Sequence, residues 1–480
     1  MKLGKNYAYS TVLFLLSLLL YELTVSNGLY VNDTAVVTSA MKVGVVNQTY
    51  LYQSSPLYVN LGVVLYDVLK ISPAIIFSQI SVISMALSVV PFWFILKRFF
   101  GRKLADYGTL IYIFLPFIWF NAINAKTYAF SILLSNFFIY FLLFSKKTKI
   151  NIILISVLFG IISVIHTMNV FLLPLFLVYL NKNKERIVSI LISGLSFIAI
   201  RILSGVTLFS QYSYIVANAQ IKTIIFAFGM NIWALFNSFS IFSFVLMIFG
   251  VYSFIKYNKE KKLLLWILPA VSMLIYGKES ISGMTPVIPF LLFCAVYALT
   301  RIKFEWQVLL IVFVCIVFQL IKFVPFAVLM HQYVSPHQLY AEKILNITTK
   351  DDVILGGHEG AWLFGKRTFY TETDNFTIDK NKTYFITMHY VTTENRLELQ
   401  KLSEEINKFG LNISSLTNLE IQNTSPLIEK RCDCQYVPRG HNFEDPYLYF
   451  TAVSPSIADR LVFLGNPFYN IEYWVCKICF

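Results

Sequence analysis

Carboxylates are scarce in the first 330 residues, so each one is a candidate for acid–base chemistry. They are Glu22, Asp33, Asp67, Asp106, Glu185, Glu260, Glu279 and Glu305. Asp33 is the best placed to act as a base, because it follows a long apolar stretch by a few residues and is expected close to a bilayer surface. The alternative is an ordinary loop aspartate in solvent or an Asx-turn.

Cations that could hold a phosphate form a second set. Lys126, Arg201, Lys222 and Lys278 stand near the ends of apolar stretches and could converge on a lipid phosphate or pyrophosphate. Each could equally anchor to headgroups with its stem along apolar surface. His166 lies in a short turn between two apolar stretches and could contact a donor or acceptor phosphate. Its alternative is a hydrogen-bonded histidine at a helix end.

The composition of the chain indicates the class of protein in which these residues lie. The chain has 480 residues, of which 57% are hydrophobic and only 14% are charged, which excludes an ordinary soluble protein. The net charge of +13 is uneven: residues 1–330 carry 25 Lys and Arg against 8 Asp and Glu, whereas residues 331–480 carry 14 against 18. The basic excess therefore belongs to membrane loops, and a nucleic-acid partner is excluded.

Apolar stretches long enough, or nearly long enough, to cross a bilayer predict a polytopic α-helical protein of about eleven spans. They cover residues 7–27, 73–96, 104–121, 127–144, 150–166, 167–180, 187–203, 240–255, 263–276, 284–299 and 307–329. Two further segments, 56–71 and 223–239, are interpreted as helices on the outer interface. Residues 28–72 then form the first outer loop.

Two independent signals predict the orientation. Of the 25 Lys and Arg in residues 1–330, eighteen fall in alternate loops between the apolar stretches. The positive-inside rule places these loops in the cytoplasm. Glycosylation sequons, which are modified only on the outer side, avoid those loops. They occur at Asn32, Asn47, Asn346, Asn375, Asn381, Asn412 and Asn423. The sequence therefore predicts an N-in, C-out integral membrane protein.

Residues 331–480 are predicted to form a small external, glycosylated α/β domain. Strands are expected at 352–356 and 383–390 and an amphipathic helix at 393–409. Its cysteines are Cys432, Cys434, Cys476 and Cys479. In an oxidising compartment they favour two disulfides over a zinc site, with the pairing open.

Taken in order, several of these features resemble GT-C membrane glycosyltransferases, in particular the protein O-mannosyltransferase and aminoarabinose-transferase branch. The motifs that resemble those of the family are YVNDTA around Asp33, SSPLY at 54–58, KRFFGRK at 97–103, NAKTYAF at 124–130 and MTPVIPFL at 284–291. An external α/β domain after the last span also resembles that branch.

The resemblance implies transfer of a sugar from a polyprenyl-phosphate donor to a protein or glycan acceptor on the extracytoplasmic face, with inversion. Asp33 would be the catalytic base. Lys126, Arg201 and Lys278 would bind the donor phosphate, and Tyr58, His166 and Glu279 would line the donor or acceptor pocket. No cofactor is required beyond the lipid-linked sugar, and no metal site is expected.

Two other functions remain open at this point. A lipid-linked-sugar flippase or other transporter would carry polar groups at mid-depth in several spans, of which only Lys322 clearly qualifies. A non-catalytic glycosylated surface protein would tolerate the loss of Asp33. Low alanine content with abundant Ile, Lys, Asn and Tyr indicates an AT-rich genome, and dense sequons indicate an archaeal or eukaryotic host; an archaeal plasma membrane is the expected location.

Overall fold

The structure, a computed structural model, describes most of the first 332 residues and short parts of the remainder. The described residues are 2–26, 50–146, 148–180, 182–207, 221–258, 260–270, 285–332, 346–349, 351–356, 368–370, 383–392, 434–437 and 470–478, with the single positions 34, 37, 38, 41, 46 and 49. Asp33, Lys278, Glu279, Cys432 and Cys479 lie outside them, as do six of the seven sequons.

The chain is mostly helical. Its α-helices are α1 (Lys2–Glu22), α2 (Tyr50–Ser54), α3 (Pro56–Leu69), α4 (Pro73–Phe114), α5 (Pro116–Ile123), α6 (Thr127–Phe144), α7 (Lys149–Ile165), α8 (Leu173–Val178), α9 (Asn183–Leu203), α10 (Ile221–Tyr257), α11 (Ile288–Leu299) and α12 (Glu305–Gln332). Two 3-10 helices cover Thr167–Leu172 and Lys261–Ile267. Proline opens α3, α4 and α5, where its missing N–H has no helical partner to lose.

Two of the long helices are interrupted. In α4, Gly101 takes a left-handed conformation (φ 79°), which glycine adopts without steric cost. The sequence predicts separate spans at 73–96 and 104–121, and the structure joins most of both in this one broken helix. In α10, Ser240 has φ 59°, and the segment 223–239, expected on the interface, continues through this break into the apolar part of the helix.

Among the described residues, five helical segments are long and apolar enough to cross a membrane. They are Pro73–Phe114, Thr127–Phe144, Asn183–Leu203, Ser238–Tyr257 and Glu305–Gln332. The chain also has shorter apolar helices, among them α3, α7 and α11. These helices identify an integral membrane protein.

Helix α4 is the centre of the helical packing, since it contacts α1, α3, α5, α6, α11 and α12. Trp93, Trp119 and Trp266 are buried, and each indole N–H donates a 2.8 Å hydrogen bond, to Asp106, Thr24 and the Pro286 carbonyl respectively. Helix α9 instead exposes large apolar side chains, such as Leu191 and Leu195. Such a surface is unfavourable in water and suits contact with lipid.

The described strands form one five-stranded sheet of order β2-β1-β3-β5-β4. They are β1 (Val353–Gly356), β2 (Thr368–Tyr370), β3 (Tyr384–Thr392), β4 (Cys434–Val437) and β5 (Asn470–Ile478). β1 is parallel to β2 and β3, whereas β5 is antiparallel to β3 and β4. The strands expected at 352–356 and 383–390 are confirmed as β1 and β3; the helix expected at 393–409 lies outside the described residues.

The chain divides into two compact units. The first comprises Met1–Ser26, Tyr50–Gln332 and Pro446–Val462 and contains all the helices described above. The second comprises Asn27–Thr49, Tyr333–Asp445 and Phe463–Phe480 and contains the sheet.

Candidate functional site

Lys126 is the first residue of the candidate site and lies in the short connection between α5 and α6. Its backbone is extended, and both its N–H and its carbonyl are hydrogen-bonded to the Ser81 hydroxyl of α4 at 3.1 Å. The residue is only 3% exposed. Its ammonium lies 4.4 Å from the centroid of the Tyr128 ring, a favourable cation–π position. The fold thus holds a buried cation at a fixed place.

His166 lies beside this cation, in the turn between α7 and the following 3-10 helix and outside both. Its ring meets the Tyr128 ring edge-on, with 5.6 Å between centroids. The Nδ1 atom is buried and has no hydrogen-bond partner among the described residues. Burial, and then the charge of Lys126, lowers the pKa of His166 to about 4. The imidazole is therefore neutral at physiological pH and offers a hydrogen bond instead of a charge.

Tyr58 of α3 contributes a second buried polar group. The residue is fully buried, and its ring packs against Phe77 and Phe130 at centroid distances of 5.2 and 6.2 Å. Among the described residues, the Ser81 hydroxyl is near the phenol oxygen but does not complete a hydrogen bond of good geometry with it. The nearby Ser81 hydroxyl is already engaged by the Lys126 backbone. A buried hydroxyl without a partner is costly, so a bound ligand would be its natural partner.

Arg201, at the end of α9, makes a different set of contacts. It is 1% exposed, and its guanidinium donates to the carbonyl oxygens of Gln53 and Thr207. Two residues after Gln53, the Ser55 hydroxyl donates to the Ile165 carbonyl at 2.7 Å. Since Ile165 immediately precedes His166, the segment 53–55 connects Arg201 to the histidine turn. These contacts suit a residue that fixes the backbone around the site.

The structure brings together three of the residues that the sequence singles out: Lys126, His166 and Tyr58. Arg201 is connected to them through the backbone of 53–55. The placement of Asp33, Lys278 and Glu279 is not described. Sequence reasoning missed Ser81, although serines at 78, 81, 84 and 88 recur at helical spacing and are all buried. That polar stripe inside an apolar span was the available signal.

The site combines a fixed ammonium, a neutral imidazole and a phenol within one buried, largely aromatic environment. Such an arrangement suits an anion with several oxygens, because the charge binds it and the uncharged groups orient it. Among the described residues, no group of three His, Cys, Asp or Glu side chains could hold a metal ion.

Solved structures with a similar fold include ArnT from Cupriavidus metallidurans bound to undecaprenyl phosphate. The TM-score is 0.56 at 11% sequence identity, and the match covers 81% of this chain and 95% of that chain. The same protein in the apo state gives 0.54 at 11% identity, over 80% and 92% of the two chains. No protein-family model matches the sequence, and neither does any curated protein.

At this identity the likeness establishes the fold. ArnT, the aminoarabinose transferase, is a GT-C membrane glycosyltransferase, and this chain has the GT-C fold. The resemblance that the sequence predicts is therefore confirmed at the level of fold.

Proposed function

We propose that this protein is an integral membrane glycosyltransferase. It moves a sugar from a polyprenyl-phosphate donor to a protein or glycan acceptor on the extracytoplasmic face. The fold supports the general class, since its structural neighbour ArnT binds undecaprenyl phosphate. The site supports the donor class, because its chemistry suits a phosphate.

One observation carries the proposal: a nearly fully buried lysine, Lys126, lies near two buried polar atoms, His166 Nδ1 and the Tyr58 hydroxyl, that complete no hydrogen bond with any described residue. A buried ammonium interacts strongly with a nearby anion, because little water screens its charge. Unsatisfied hydrogen-bonding groups are rare in proteins and point to a ligand or a functional strain. A lipid phosphate would supply the charge that Lys126 stabilises and oxygens for the Tyr58 hydroxyl.

The reaction is a single displacement at the anomeric carbon. The acceptor hydroxyl attacks, the bond from this carbon to the phosphate oxygen breaks, and the lipid phosphate leaves with the electron pair, so the configuration inverts. Lys126 stabilises the negative charge that develops on the leaving phosphate. The Tyr58 hydroxyl and the neutral His166 orient its oxygens. Asp33, the base that the sequence predicts, accepts the acceptor proton.

The test is sugar transfer in membranes that contain Lys126→Gln and a radiolabelled polyprenyl-phosphate-sugar pool. The variant removes the charge, but the two Ser81 hydrogen bonds remain because they use backbone atoms of residue 126. We expect transfer to fall by about a hundredfold or more, the scale found when one electrostatic group of an active site is removed. Asp33→Ala, assayed in parallel, tests the base and is expected to lose a similar factor.

Matched controls come from the C-terminal end of α3, where Lys70 follows the last helical residue. Lys70 and Asp67 form an exposed pair at 3.5 Å, so Lys70→Gln and Asp67→Ala remove the same charges from a solvated surface and are expected to retain transfer. Full activity of Lys126→Gln at matched expression would refute the phosphate role of Lys126. No transfer by the wild type with any polyprenyl-phosphate sugar would refute the proposed function itself.

A further inference from the structure

A cluster of tyrosines and cations lies where α10 and α11 end and shares no residue with the candidate site. It consists of Lys256, Tyr252 and Tyr257 at the end of α10, and of Tyr297 and Arg301 at the end of α11. Lys256, Arg301, Tyr252 and Tyr257 are exposed. We refer to these five residues as the tyrosine–cation cluster.

Both cations are fixed against the same ring. The Lys256 ammonium lies 5.1 Å and the Arg301 guanidinium 4.7 Å from the centroid of the Tyr257 ring. The two charges are therefore at most about 10 Å apart, which is comparable to the Debye length in physiological salt. One anion can therefore interact with both cations. Lys256 also donates to the Tyr252 hydroxyl at 3.2 Å, and Arg301 donates to the Tyr297 hydroxyl at 2.7 Å.

The part of the chain that the structure describes gives this cluster no negative partner. Among the described residues, no carboxylate lies within 4.0 Å of Lys256 or Arg301, whereas Lys70, Arg102 and Lys103 each have one. The Tyr252 and Tyr297 oxygens accept hydrogen bonds from the cations, so their own O–H groups remain available as donors. Two cations and two phenol donors together match the oxygens of a phosphate group.

The surface beside the cluster shows where that phosphate would come from. Helix α10 exposes an apolar face formed by Ile241, Val245, Ile248, Tyr252 and Ile255. The spacing of three or four residues places these side chains on one side of the helix. From 241 to 255 the face is about 20 Å long, enough to cover the hydrocarbon of one leaflet of a bilayer about 30 Å thick. The tyrosine–cation cluster stands at the end of this face, at headgroup level.

We propose that the tyrosine–cation cluster binds the phosphate of an anionic membrane lipid whose acyl chains lie along the exposed face of α10. Lys256 and Arg301 supply the charge, and Tyr257 holds the two cations together. Tyrosine at a membrane–water interface and basic residues facing an anionic leaflet both favour this partner. The lipid is distinct from the donor of the proposed reaction, which is expected to bind at the Lys126 site.

The test measures lipid retained on the purified full-length protein by native mass spectrometry. The protein is exchanged into mixed micelles with equal amounts of palmitoyl-oleoyl phosphatidylglycerol and phosphatidylcholine. We expect the wild type to retain phosphatidylglycerol preferentially. Lys256→Gln and Arg301→Gln should each weaken this preference on the order of fivefold, the usual contribution of one basic residue near an anionic surface. The double variant should lose it on the order of twentyfold.

The matched control is the double variant Lys262→Gln, Lys303→Gln. It removes two exposed cations from the same end of the molecule and is expected to keep the preference. Tyr257→Leu keeps both charges and should weaken retention about two- to fivefold, because the cations lose their common ring. Monodisperse elution in size-exclusion chromatography confirms that each variant is folded.

Three outcomes would overturn the proposal. In the first, the Lys256→Gln, Arg301→Gln double variant retains as much phosphatidylglycerol as the wild type. In the second, the control double variant loses as much as the cluster variant, which would show a general effect of net charge. In the third, inorganic phosphate at millimolar concentration displaces the lipid, which would show a site for a free anion.

Discussion

At the scale of single residues, the proposed function depends on buried polar groups that complete no hydrogen bond with any described residue. Tyr58 and Tyr21 illustrate the contrast. Both are fully buried, but the Tyr21 hydroxyl donates to the Ile113 carbonyl at 3.0 Å, whereas the Tyr58 hydroxyl has no partner among the described residues. A satisfied group stabilises the fold, and an unsatisfied one costs stability that a ligand can recover.

Tyr58→Phe tests this interpretation. Removal of an unpartnered buried hydroxyl should raise the free energy of unfolding slightly or leave it unchanged, within about 1 kcal/mol. Transfer should fall about tenfold, because the phosphate loses one donor. Thermal unfolding in detergent and the transfer assay measure the two effects. Tyr21→Phe is the control and should show the opposite pattern, a loss of about 1 kcal/mol in stability with transfer unchanged. Equal transfer by Tyr58→Phe and wild type would contradict the role of Tyr58.

At the scale of elements, the site depends on helices that pack closely. Gly160 of α7 faces α9, where an added Cβ atom would come 2.7 Å from the Ser193 carbonyl oxygen. Next to this contact, the Ser193 hydroxyl donates to the Ser156 carbonyl at 2.9 Å. Helix α7 ends just before His166, and α9 carries Arg201. The α7–α9 contact therefore fixes two parts of the site relative to each other.

Gly160→Ala should destabilise the protein by about 1–3 kcal/mol, because the added methyl group meets backbone atoms that cannot move without separating α7 from α9. Gly194 is the control, since it is exposed on α9 with open space where its Cβ would be. Gly194→Ala should be neutral or stabilising by up to about 1 kcal/mol, from helix propensity alone. Thermal unfolding of the two variants measures the difference, and equal stabilities would contradict close packing at Gly160.

The sheet leads to a prediction about the disulfides whose pairing the sequence leaves open. Cys434 of β4 and Cys476 of β5 are directly opposite in the antiparallel register. Opposite residues in such a pair have Cα atoms about 4.5–5.5 Å apart, within the range that a disulfide bridges. We predict a Cys434–Cys476 disulfide. Peptide mapping of the non-reduced protein should find this cross-link, and Cys434→Ser should free the Cys476 thiol; a cross-link of either cysteine to Cys432 or Cys479 would contradict the pairing.

At the scale of the whole molecule, the orientation in the membrane remains a prediction that one described sequon can test. Asn346 is exposed and lies in the second compact unit. If this unit is extracytoplasmic, as the one-sided distribution of sequons predicts, Asn346 is accessible for glycosylation. In the native host, Asn346→Gln should shift the electrophoretic mobility by one glycan, whereas Asn346→Gln and the wild type should migrate together after deglycosylation. A membrane-impermeant reagent added outside intact cells should reach residue 346 if this orientation is correct. Protection of residue 346 from such a reagent would contradict the orientation.

The amino-acid sequence alone determined the class of protein and much of its local structure. Hydropathy identified a polytopic membrane protein, and the order of short motifs predicted the GT-C fold that the structural comparison confirms. β-Branched and aromatic content located β1 and β3. These properties are readable because they depend on residues near one another in the chain: a run of apolar side chains, the period of a strand, the residue that opens a helix.

Tertiary structure decided which of the candidate residues lie close together. Lys126, His166 and Tyr58 are distant in sequence, and each alone is compatible with an ordinary role at a helix end. Their convergence depends on how α3, α4, α6 and α7 pack, which no local pattern encodes. Packing also distinguished the two cations. The Arg201 guanidinium binds backbone carbonyls, whereas the Lys126 ammonium lies over the Tyr128 ring, near polar atoms that complete no hydrogen bond with any described residue. The physical reason is that burial and hydrogen bonding are properties of the packed helices. The role of a cation is therefore determined only when the packing has determined its neighbours.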